Sequence, residues 1–166
     1  MHWGRFAGGA AVALLLLVAG ASEAALITWT NGGSGSAWNT AANWSGTNTP
    51  PIDGDGLIIG TAGSGGTLTN DIVGLVLGSA TVGWAIEFNN DTFTLTGNPV
   101  TVNASRGIRN RRNVTQTIGF DMVLSKDIEF QTAQGAIEVS GAISDGGNGY
   151  SVVKSGQDNN RNLTLA

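Results

Sequence analysis

The chain contains no cysteine, and its single histidine is His2. No disulfide can staple it, so its fold must rest on a buried core and on backbone ladders. Once the first two dozen residues are set aside no imidazole remains. Ser/His/Asp triads, histidine general bases and imidazole zinc sites are then excluded. Catalysis, if there is any, has to use carboxylates, Lys and Arg. Charge is sparse as well: 8 basic residues stand against 12 acidic ones, a net −4 at pH 7, which is not the balance of a nucleic-acid binder. Proline is limited to 3 residues, and no segment shows a convincing 3.6-residue apolar period, so essentially no helix is expected.

Long apolar runs are missing too, with one exception at the start. Residues 1–24 have the three zones of a secretory leader: a short basic start with Arg5, an apolar run over 6–19, and Ser22 and Ala24 at the minus-three and minus-one positions. Cleavage is expected after Ala24. The apolar run is shorter than the roughly 20 residues that span a bilayer, which argues against an uncleaved anchor. Removal of Arg5 and Glu23 leaves the net charge at −4.

What the rest of the chain has in quantity is Gly and Asn, scattered among Val, Ile, Thr, Leu and Phe rather than pooled in one linker. Gly and Asn tolerate positive φ and punctuate; β-branched and aromatic residues fill the pleats between. Short alternating runs recur at 57–59, 66–69, 72–77, 84–88, 92–96, 100–102, 114–118, 122–124, 128–130, 136–139 and 150–153. An all-β chain is expected. A β-sandwich would need hairpin turns midway between matched strands, and Asn31-Gly32, Asp53-Gly54, Asp55-Gly56 and Asp145-Gly146 do not sit so. A parallel β-helix, with coils of roughly 20 to 25 residues, fits better. Ala85-Ile86-Glu87-Phe88, Phe93-Thr94-Leu95 and Val100-Thr101-Val102 suit three faces of one coil. The division expected is a leader at 1–24, a Trp-rich N-terminal cap at 25–56, and solenoid coils over 57–166 that break off within a strand at Leu163-Thr164-Leu165.

Two segments carry a family likeness. Gly147-Asn148-Gly149-Tyr150-Ser151-Val152-Val153-Lys154-Ser155-Gly156, followed by Asn162-Leu163-Thr164-Leu165, resembles the opening of an autotransporter-associated β-strand repeat. That pattern is a Gly-rich turn, a strand ending in Lys-Thr-Gly, a Gly turn and Leu-Thr-Leu. Ser155 departs from it, as does the link over 157–161. Trp29, Trp38 and Asn43-Trp44, with Pro50-Pro51 and Asp53 after them, resemble the tryptophan-containing entry segment that precedes such repeats. The resemblance implies a right-handed parallel β-helix of the passenger type, displayed outside the cell.

Two constellations are candidates for binding. Trp29, Trp38 and Trp44 could stack on sugar rings, or they could cover the open end of the solenoid. Arg106, Arg109, Arg111 and Arg112 place four guanidinium groups within seven residues. Such a run suits sulfated or uronic polysaccharides; the plainer reading is a wet corner whose arginines pair with Asp121, Asp127 or Glu129. A polysaccharide-lyase reading would draw on those acids and Arg109. No metal or cofactor site is expected. Asp53-Gly54-Asp55-Gly56 lacks the remaining ligands of a calcium loop. Asparagines are expected to stack on one another at coil corners. The function expected is a non-enzymatic, exported surface stalk or adhesive passenger, its partners extracellular glycans and not nucleic acid. Membrane contact would run only through the leader or a missing C-terminal region. The alternative is a carbohydrate-binding or lyase-like module.

Overall fold

The structure is a computed structural model that describes residues 1, 23–60, 65–104, 106–156 and 161–166; His2 and the leader-like stretch at 2–22 lie outside the described residues. From Ala25 onward the chain winds through three parallel sheets. The first holds β1 (Leu26–Trp29), β3 (Gly56–Ile59), β6 (Ile86–Phe88), β9 (Ile108–Asn110), β12 (Ile128–Thr132) and β15 (Val152–Gly156), closed at one edge by the short β2 (Trp44–Ser45). The second holds β4 (Gly66–Asn70), β7 (Phe93–Gly97), β10 (Gln116–Ile118), β13 (Ile137–Val139) and β16 (Leu163–Leu165). The third holds β5 (Val76–Leu77), β8 (Val100–Val102), β11 (Met122–Leu124) and β14 (Ile143–Ser144). Each coil visits the three sheets in turn, which makes a β-solenoid of about four turns. Ladders between coils are parallel throughout, and the only antiparallel pair among the described strands is β1 with β2. A β-sandwich is therefore not what this chain forms.

The local reason lies in three-residue strands that bury their first and third side chains and turn the second outward. Coil upon coil, the inward residues fall into columns. Ile27, Leu57, Ile86, Ile108 and Phe130 align in the first sheet. Leu68, Leu95, Ile118 and Val139 align in the second. Leu77, Val102 and Leu124 align in the third. All of these side chains are buried, each contributing roughly 1.5–3 kcal/mol relative to exposure. The first column ends abruptly, because Lys154 stands in register with Phe130 and is exposed.

Corners are made by glycine and by amides bonding the backbone. At Gly97 φ is +105°, and a Cβ there would lie 2.2 Å from the Asn70 carbonyl oxygen, so only glycine allows the coils to approach. Buried Asn70 donates to the Asn98 carbonyl at 2.9 Å and accepts from the Ile72 N–H at 3.1 Å. Buried Gln116 accepts from the Phe93 N–H and donates to the Asp91 carbonyl. The expected side-chain ladders of stacked asparagine are replaced by this arrangement: each of these amides satisfies main-chain groups that a tight corner leaves unpaired.

The turn after β14 is gathered by one carboxylate. Asp145 accepts from the N–H groups of Gly147, Gly149 and Tyr150 at 2.9, 2.6 and 2.9 Å. These bonds, the one from Gly147 foremost, hold its carboxyl below the ordinary value of 3.8, slight desolvation opposing them. A depressed acid contributes its stabilisation fully above the unfolded value and loses it as pH falls through the folded one. The amide resonances of Gly149 and Tyr150 are therefore expected to hold their positions down to about pH 3.8 and to move only below it. In Asp145→Asn that acid transition should vanish; its persistence would assign it to another group.

Candidate functional site

The three tryptophans fold inward. Trp29 and Trp44 are cross-strand partners, and their rings meet edge to face at 5.0 Å. Trp44 meets Trp38 at 5.9 Å and donates its Nε1–H to the Trp38 carbonyl at 2.7 Å. Trp38 in turn meets Phe120 of the third full coil at 5.8 Å. Each T-shaped contact adds about 0.5–1.5 kcal/mol beyond area. Exposures of 2, 0 and 5 % leave no ring face free for a sugar. Buried Asn43 ties the surrounding loop by accepting from the Gly33 N–H and donating to the Gly35 and Ala37 carbonyls. The cluster is part of the buried core beside β1 and β2. Beside it lies a cavity of about 350 Å³ edged by Trp29, Asn31, Ser36 and Thr67, in which Trp29 shows almost no surface.

The arginines are sorted by a strand that sequence reading missed. β9 places Arg109 at its outward position, in register with Glu87 on β6 one coil earlier. Glu87 takes Arg109 and Arg111 at 3.4 Å each, so the acid that pairs with them precedes the run rather than following it. Asp121, Asp127 and Glu129 are engaged elsewhere: Asp121 accepts from the Ala142 N–H, Asp127 from the Ser151 N–H, and Glu129 from the Ser155 hydroxyl. Nothing gathers them with Arg109 into one site. The indole of Trp84 lies beneath the guanidinium groups of Arg106 and Arg109, at 5.7 and 5.5 Å.

Arg112 is held differently. Buried Asn110 at the end of β9 accepts from the Arg112 N–H at 2.9 Å and donates to the carbonyls of Val114 and Ala136 at 2.7 and 2.8 Å. The corner is thereby fixed with the exposed Arg112 side chain in no ion pair among the described residues. Two adjoining cavities, of about 390 and 270 Å³, share Arg112 and Gln134 as walls. Asp91, Asn113 and Val114 complete one; Asn89 and Arg111 complete the other. Guanidinium and carboxamide groups around an open hollow can accept a carboxylate together with neighbouring hydroxyls.

Of the seven sequence candidates, the structure buries Trp29, Trp38 and Trp44, engages Arg106, Arg109 and Arg111 with Trp84 and Glu87, and leaves Arg112 free of ion pairs among the described residues. Glu87, Trp84, Asn110 and Gln134 escaped sequence reading. The spacing of 22 between Glu87 and Arg109 is one coil, and it would have revealed the pair had the coil length been known. Among the described residues no three His, Asp or Glu side chains lie placed to hold a metal ion. Comparison with known proteins finds no matching family model, no matching curated protein and no matching solved structure.

Asn110→Ala should therefore unpin the corner. Three main-chain groups lose their partner, a cost of about 1–3 kcal/mol in unfolding free energy, read by chemical denaturation. Amide exchange at Arg112 should accelerate in parallel. Unchanged protection there would show that Asn110 does not hold the corner.

Proposed function

We propose that this chain is a non-enzymatic, exported β-solenoid segment that serves as a stalk on a bacterial cell surface. The observation that carries the reading is the in-register stack itself: every coil bonds mainly to the coil before and the coil after, so a rigid rod is built with backbone polarity satisfied along its axis. The leader-like first 24 residues and the resemblance to passenger-type repeats support the same reading. Among the described residues no helix is long and apolar enough to cross a membrane. Expression of the full chain in a bacterial host should yield a product shortened at its N-terminus and found outside the cytoplasm. A full-mass product confined to the cytoplasm would sink the proposal.

A second reading, binding of an acidic glycan, is favoured by one feature: Arg112 lines both adjoining cavities with no ion-pair partner among the described residues. Asp91 and Glu87 offset part of the local positive charge, which favours one carboxylate per sugar over dense sulfation. Calorimetric titration with oligogalacturonate should show binding that Arg112→Gln weakens about tenfold, while neutral dextran gives no heat. Equal affinity in the variant would remove the corner from consideration.

A further inference from the structure

Asp55, at the turn into β3, is completely buried. Its Oδ1 accepts from Asn48 Nδ2 at 2.7 Å and from the Ala25 N–H at 2.8 Å, while Oδ2 accepts from the Ile52 N–H at 3.0 Å. All three donors are neutral groups, and no Lys or Arg forms an ion pair with it among the described residues. A carboxylate removed from water with no countercharge is disfavoured even when hydrogen-bonded. The stalk function makes no use of it.

One of the three donors can acquire a charge. Ala25 directly follows the expected cleavage point, and its nitrogen already touches the carboxylate. Hydrolysis of the Ala24–Ala25 amide by a leader peptidase consumes one water, leaves a carboxylate on Ala24 and frees an amine on Ala25, which takes up a proton. We propose that leader removal after Ala24 converts the Ala25–Asp55 hydrogen bond into a buried ion pair that locks the mature N-terminus. The ammonium supplies the missing countercharge, and the lock closes the start of β1 against β3, where the Gly56 N–H already donates to the Ala25 carbonyl at 2.9 Å.

Two details of the surroundings fit. A Cβ on Gly54 would lie 2.9 Å from the Ala24 Cβ, so the chain crosses this turn only with small residues on both sides. Asn48 Nδ2 also donates to the Glu23 carbonyl at 2.8 Å, an acceptor that processing removes while the bond to Asp55 stays. The geometry is specific to one bond. Cleavage one residue to either side would displace the ammonium by about 3.8 Å along the chain, out of direct contact.

The inference rests on the exported reading, and the experiment separates the two. The full chain is expressed with its leader in an export-competent bacterium, and the purified product is sequenced from its N-terminus. It is then treated with an amine-acetylating ester in the native state and in urea. A product beginning at Ala25 whose α-amine reacts at least tenfold more slowly when native than when unfolded, with Lys126 reacting freely in both, is the expected result. Asp55→Asn keeps the shape and one acceptor oxygen, removes the charge and replaces the other oxygen with an NH2 that cannot accept; it should restore most of the native reactivity, whereas Asp53→Asn, in an exposed turn, should not. A retained leader, or a different first residue, would overturn the leader reading and the ion pair with it. A product that does begin at Ala25 but whose amine reacts equally fast in both states would leave export standing and overturn the lock. The native-to-unfolded ratio of the unmodified chain decides the matter even if Asp55→Asn fails to fold.

Discussion

Everything in this molecule depends on the parallel backbone ladder between successive coils. Strands of three residues are too short to be stable alone, and each acquires order only because the coil before and the coil after present N–H and C=O groups in register. The ladder in turn dictates side-chain placement: once Ile86 lies over Leu57 and Ile108 over Ile86, the inward side chains form a buried column, and Ile58, Glu87 and Arg109 between them form an outward, half-buried one. Packing and hydrogen bonding are thus one constraint seen from two directions.

That constraint explains how much could be read beforehand. The segments of β6, β7 and β8 were legible because their apolar alternation is uninterrupted and their turns are short. β9 was not, because Ile108 stands between Gly107 and Arg109 in an arginine-rich run and its second inward residue is Asn110, a polar side chain that is buried only because it satisfies a corner. The coil length was blurred for a related reason. Leu57 and Ile86 pair across 29 residues and Ile86 and Ile108 across 22, since a solenoid takes insertions at its corners without disturbing its columns. Periodicity in sequence and periodicity in space then differ.

The candidate site divides along the same line. Residue type alone marked the tryptophans and arginines, and type was right about their capacity for contact but silent about direction. The chain doubles back at β2, which turns Trp29, Trp38 and Trp44 toward one another, and the register of β6 with β9 sets Glu87 beside Arg109. Neither fact is local in sequence. Asp55 drew notice only as a turn residue and as part of an incomplete calcium loop; its burial beside Ala25 comes from β1 lying against β3, a long-range pairing no short motif encodes.

The 22-residue coil between Glu87 and Arg109 also has a mechanical meaning. In a rod whose bonds run along its axis, tension applied at the two ends acts in full on every interface at once, while the bonds within any one interface share it. Yielding of a single coil would release a length of chain many times its folded rise: at about 3.4 Å per residue, roughly 70 Å of slack for about 4.8 Å of rod. Such an element resists small forces as a stiff spacer and absorbs large ones by stepwise extension, and the number of coils sets how far it can give.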